Sequence, residues 1–92
     1  MFVIIAGGGN VGSNLIRYLV ERKIELVVIE EDESLCKELY AKYGIEPISG
    51  NATKLSVLKE AGIEKADAAV ATMRNDAANL AFSVLAKSFS VK

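Results

Sequence analysis

Phe2-Val3-Ile4-Ile5-Ala6-Gly7-Gly8-Gly9-Asn10-Val11-Gly12 opens the chain, and its reading decides the fold. An apolar run of strand type passes directly into glycines spaced Gly-x-Gly-x-x-Gly, at Gly7, Gly9 and Gly12. A helical pattern follows. A second apolar run then ends on the acid Glu30, about 20 residues past the glycines. Each part has a physical task. Gly7 can take the positive φ of a tight strand-to-helix turn. Gly9 has no side chain, so a pyrophosphate can approach the backbone, and Gly12 lets the helix lie close on the strand. The helix start at Asn10 and Val11 offers unpaired N–H groups and a partial positive charge to phosphates. Glu30, at the end of the second strand, is placed to accept hydrogen bonds from adenosine ribose hydroxyls. Its charge would repel a 2′-phosphate, which disfavours NADP. Together these parts form a dinucleotide-binding fingerprint. Read as structure alone, the glycines serve only the turn. Glu30 with Glu31, Asp32 and Glu33 is then a solvated acidic helix start, and the same fold carries an empty site.

Outward from this stretch, strand and helix patterns alternate with little between them, the mark of a parallel α/β sheet. The spacing predicts strands at 2–6, 26–30, 46–49 and 68–72. Pro47 places the third at an edge, where a missing N–H costs little. The first helix is predicted over 10–22, burying Val11, Leu15, Ile16 and Leu19. The second starts from Asp32 as N-cap and ends at Gly44. The third starts from Thr53 as N-cap, buries Leu55, Leu58 and Ala61, and stops at Gly62. The fourth begins near Asn75 or Asp76 and buries Ala77, Leu80, Ala81, Val84 and Leu85. Right-handed crossovers give the strand order 3-2-1-4 and a crevice where that order reverses, between Gly7–Gly12 and Ala71–Arg74. The result is a Rossmann-like sheet truncated relative to the six-stranded fold, with Ser88–Lys92 read as the approach to a fifth strand. The half expected here holds adenosine and pyrophosphate, and the half that seats a nicotinamide ring is largely missing.

At 92 residues the chain is expected to form one domain, itself part of a larger fold. Half of it is hydrophobic (51%), a quarter charged (25%), and the net charge is −1, so no general attraction to nucleic acid or anionic lipid is expected. The apolar stretches are strand-length, far short of the roughly 20 residues that span a bilayer. Met1 leads straight into the first strand without a leader pattern, and a cytosolic location with no membrane insertion is expected. Cys36 stands alone, on a stripe with Leu35, Leu39, Tyr40 and Tyr43, and reads as packing rather than as a reactive thiol. The absence of histidine removes the commonest general base and the commonest metal ligand. Four residues after Tyr18, Tyr40 and Tyr43 stand Arg22, Gly44 and Pro47, so no Tyr-x-x-x-Lys pair exists, nor any Gly-x-Ser-x-Gly turn. No catalytic or metal-binding set emerges, and a non-enzymatic role is expected.

Further elements accompany the glycines: Gly50-Asn51-Ala52-Thr53, Leu58-Lys59-Glu60-Ala61-Gly62-Ile63, Ala66-Asp67-Ala68 and Asp76-Ala77-Ala78-Asn79-Leu80. With Ile4–Gly12 and Val28–Glu30, they make nearly the whole chain similar to the nucleotide-binding domains of Trk-type potassium-transport regulators (RCK, KTN or TrkA-N). The resemblance implies a cytoplasmic regulatory domain that binds NAD(H), ATP, ADP or AMP. Such domains pair into dimers and rings that gate a membrane-embedded potassium channel or transporter. By position it implies a phosphate loop of Gly7, Gly9 and Gly12 with Asn10 and Val11, and Glu30 on the ribose. It also implies Asn51 and Ala52 near the adenine, and Thr72 at the crevice. Asn10 stands where many members carry an Arg that reaches the terminal phosphates, and Arg74 is the candidate replacement from the opposite side. The spacing from Thr72 to Asp76 is one residue longer than the usual pattern. A different class remains open: the adenosine-binding half of an NAD-dependent dehydrogenase. So does an interaction module with an empty pocket.

Overall fold

The computed structural model describes residues 1–89. Its centre is a four-stranded parallel sheet in the order β3-β2-β1-β4. The strands are β1 (Phe2–Ala6), β2 (Glu25–Glu30), β3 (Ile48–Ser49) and β4 (Ala68–Ala71). The helices are α1 (Asn10–Glu21), α2 (Glu33–Tyr43), α3 (Leu55–Ala61) and α4 (Asp76–Ser88), with a 3-10 turn at Ile63–Lys65. Ile4 pairs with Val27 on one side and Ala69 on the other, so β1 is central, which is why it reads as an unbroken apolar run.

Alternation along the strands divides the core into two layers. Val3, Ile5 and Val28 face Ile16 and Leu19 of α1 and Leu39 of α2. Ile4, Ala6 and Ile29 face Leu58 and Ala61 of α3, Ile63, and Phe82 and Ala86 of α4. Local signals end the helices as expected. Asp32 caps α2 by accepting from the N–H groups of Ser34 and Leu35, and Gly44 and Gly62 close α2 and α3 in the left-handed conformation. The start of β4 is tied to the start of β1 by Asp67. Its N–H donates to the Phe2 carbonyl at 2.8 Å and its carboxylate accepts the Phe2 N–H at 2.7 Å.

Several expectations are corrected. Val11 is 69% exposed, because α1 turns its Gly12–Ile16–Leu19 stripe to the sheet and Val11 lies off that stripe. Thr53 does not cap α3. Its N–H and hydroxyl both donate to the Asn51 side chain in a local turn, and the helix starts only at Leu55, which is 47% exposed. β3 shortens to Ile48–Ser49, with Pro47 just ahead of it. Ser88, expected to begin an approach to a further strand, is instead the last residue of α4, with Phe89 as its C-cap; the rest of that expectation, at 90–92, lies outside the described residues.

The largest correction is the rotation of α4. Phe82 is 1% exposed and Ala86 is buried, while Leu80 (67%) and Val84 (62%) face outward with Ala77 and Ala81; Leu85 is half-buried. The helix is apolar on two sides, so periodicity alone does not choose between them. The side bearing the large aromatic ring fills the layer against Ile4 and Ala6.

Candidate functional site

At the carboxyl end of β1 the chain turns at Gly7, with φ +106° and its N–H donated to the Ile29 carbonyl at 2.9 Å. A Cβ at Gly7 would lie 2.9 Å from the Thr72 carbonyl, so both the conformation and the space exclude a side chain there. Gly9 is the opposite case. Nothing lies within 4 Å of a Cβ built on it, and as N-cap of α1 it has no capping side chain. Its face is open toward a cavity, beside N–H groups that the first turn of a helix leaves without intrahelical partners. A Cβ at Gly12 would overlap the Gly7 carbonyl oxygen and lie 2.7 Å from Oγ1 of Thr72. Gly12 thus admits the loop and the end of β4 against α1.

The cavity holds about 670 Å³, inside the range of roughly 300–1,000 Å³ usual for small-molecule sites. It spans the carboxyl ends of the sheet. Gly7 and Gly9 lie at its centre, Glu30, Glu31 and Asp32 on the β2 side, Gly50–Thr53 beyond β3, and Thr72–Asn75 on the β4 side. Of the residues singled out from sequence, Gly7, Gly9, Glu30, Asn51, Ala52, Thr72 and Arg74 line it. Ala52 does so while packed in the core. Asn10, Val11 and Gly12 are not in its wall; Asn10 and Val11 sit exposed on the first turn of α1. Glu30, Glu31 and Asp32 line one side of the cavity and Arg74 the other, so residues of opposite charge face each other across it. Among the described residues, no group of three or more metal-ligating side chains converges.

Glu30 does more than face a ligand. The Gly8 N–H donates to its Oε1 at 2.7 Å and the Asp32 N–H to its Oε2 at 2.9 Å. One carboxylate therefore joins the glycine turn to the start of α2, and each oxygen keeps a lone pair for a hydroxyl donor. Thr72 is likewise a tether. Its hydroxyl donates to the Gly7 carbonyl at 2.8 Å and lies 3.2 Å from the Ala6 carbonyl. Asn51 uses its side-chain oxygen on Thr53, which shapes the turn after β3. Cys36 donates from its half-buried thiol to the Glu30 carbonyl. Burial first, then the charges of Glu30, Asp32 and Glu33, push that thiol's pKa up, away from the reactive range.

Sequence reading missed Asn79, which holds the Met73 peptide through both groups of its side chain. The available signal was a polar residue on the same helical face as Phe82 and Ala86.

The family model of the TrkA-N domain matches residues 3–92, nearly the full chain. The chain belongs to the TrkA-N domain family. A Trk system potassium uptake protein TrkA homolog of Methanothermobacter thermautotrophicus is 37% identical over 91 residues, covering 99% of this chain and 42% of that protein. This TrkA-N chain thus spans less than half of that relative's length. Among solved structures, the TrkA-N domain of inner membrane protein ybaL from Escherichia coli aligns over 96% of this chain and 64% of its own. Its TM-score is 0.86 at 28% identity. The GsuK channel bound to NAD aligns over 95% of this chain and 16% of that one, with a TM-score of 0.82 at 23% identity, a likeness of fold. Among the described residues, no helix of this TrkA-N chain is long and apolar enough to cross a membrane.

Proposed function

We propose that this chain is the nucleotide-sensing module of a potassium channel or transporter, acting from the cytoplasmic face and paired with further copies in a dimer or ring. Its ligand is NAD(H) or an adenine mono-, di- or triphosphate, and it performs no reaction on that ligand. The observation that carries the reading is the open face of Gly9 in a cavity with a strand-end carboxylate on one side and Arg74 on the other. The carboxylate suits the ribose hydroxyls. The helix start and the guanidinium suit the phosphates, both in charge and in hydrogen-bond type. Family membership supports the regulatory half of the reading, and the NAD-bound GsuK channel is a protein of the same fold that takes such a ligand. Regulation follows if the ligand binds one arrangement of α4 and the neighbouring subunit better than another; equal affinity for both would shift nothing.

The test is a thermal-shift panel on the purified chain with NAD, NADH, ATP, ADP, AMP and NADP. A ligand at about 100 times its Kd should add about 2.7 kcal/mol to stability. Stabilisation by one or more adenine nucleotides, with NADP weaker, is expected. No shift with any of them refutes the nucleotide reading. Binding without change in assembly or inter-subunit geometry refutes the sensing part.

A further inference from the structure

Asn79 is half-buried on the first turns of α4, on the same side as Phe82 and Ala86. Its Oδ1 accepts the Met73 N–H at 2.9 Å, and its Nδ2 donates to the Met73 carbonyl at 2.8 Å. Only one orientation of the amide satisfies both contacts, because Oδ1 cannot donate and Nδ2 cannot accept. The neighbours of Met73 are held as well. The Thr72 N–H donates to the Ala6 carbonyl at 2.8 Å, and the Asn75 side chain accepts the Ala78 N–H at 3.0 Å. Between these anchors stands Arg74, exposed and lining the β4 side of the cavity.

We propose that Asn79 is a positioning residue for the phosphate end of the ligand. By clamping the Met73 peptide to α4, it holds Arg74 at the cavity, so the phosphates of a bound nucleotide depend on it and the adenosine does not. The inference rests on the nucleotide reading of the cavity. Its physical basis is entropic. A loop already fixed in the binding geometry loses little freedom when a ligand arrives, whereas a released loop must be ordered at the expense of affinity. Adenosine, held from the Glu30 and Asn51 side, gains nothing from that order.

The experiment uses the 92-residue chain and two variants: Asn79→Leu, which keeps the γ-branched outline and removes both bonds, and Asn79→Ala, a strong helix former. Each is compared with Arg74→Ala and with the Asn79→Leu/Arg74→Ala double variant. Calorimetric titration gives the Kd for adenosine and for ADP, and far-UV circular dichroism verifies the fold. The expected result is ADP binding about tenfold weaker in Asn79→Leu with adenosine within about twofold. Adding Asn79→Leu to Arg74→Ala should then change ADP binding little, since the clamp acts through Arg74. If the leucine variant does not fold, the alanine variant is held to the same ratio. Equal weakening of adenosine and ADP, or unchanged ADP binding, overturns the clamp while leaving the nucleotide reading intact. A wild-type chain that binds neither compound removes the nucleotide reading, and this inference with it.

Discussion

Alanine at Gly12 places a methyl group where the Gly7 carbonyl oxygen already lies, 2.7 Å from Oγ1 of Thr72 and 3.1 Å from the Gly7 carbonyl carbon. Neither neighbour can yield cheaply. The carbonyl belongs to a turn held by the Gly7 N–H bond to Ile29, and the hydroxyl is bonded to that same carbonyl at 2.8 Å. Overpacking of this kind costs about 1–3 kcal/mol, and displacing the hydroxyl forfeits about 1 kcal/mol more. Against this, alanine in place of glycine inside a helix returns about 1 kcal/mol. The net expectation is a loss of about 1–3 kcal/mol, which lowers Tm by roughly 5–20 °C in a domain of this size. Gly9→Ala is the internal control. Nothing lies within 4 Å of the added carbon, so its stability should stay within about 0.5 kcal/mol of the parent. Its nucleotide affinity should fall, because the methyl stands where the phosphates would approach. Thermal and urea denaturation followed at 222 nm measure both variants. A Gly12→Ala protein as stable as the parent would show that α1 does not pack against Gly7 and Thr72 as described.

Three further outcomes are expected. Glu30→Gln replaces one acceptor oxygen by an NH2 group facing a backbone N–H, so stability should drop by about 1–2 kcal/mol. NAD or ADP binding should weaken alongside, and urea denaturation with parallel titration separates the two effects. Phe82→Ala should cost about 3–5 kcal/mol because its ring is fully enclosed, whereas Leu80→Ala should stay within about 0.5 kcal/mol. Similar losses at the two positions would contradict the rotation of α4. The Cys36 thiol, raised by burial and by three neighbouring carboxylates, should resist iodoacetamide until the pH exceeds the ordinary thiol range. Since its folded pKa lies above the unfolded one, its contribution to stability is complete below the unfolded pKa and declines as pH rises through the folded one. Fast alkylation at neutral pH would contradict the assignment.

The helix ends at Asp32, Gly44 and Gly62 and the glycine turn were legible from sequence because each depends on neighbours a few residues apart, and the strand order followed from the strand–helix alternation and the right hand of its crossovers. Left-handed φ at a stop glycine, a side chain reaching the next turn, and alternation along a strand are local properties. Gly7, Gly9 and Glu30 were legible for the same reason, through fixed spacing from strand ends. The further uses of Glu30 and Thr72 were not. Their partners lie 22 and 65 residues away, at Gly8 and Gly7, and no local pattern announces such a pairing.

The sequence by itself therefore determined an α/β sheet with a glycine turn at its switch point and a carboxylate at the end of the second strand. Tertiary structure decided the rotation of α4 and the outward turn of Val11. It also decided the tethers by which Glu30, Thr72 and Asn79 hold three loops around one cavity. Those choices rest on which apolar surface fills the space beside the sheet, and on polar groups that meet only once the chain has closed.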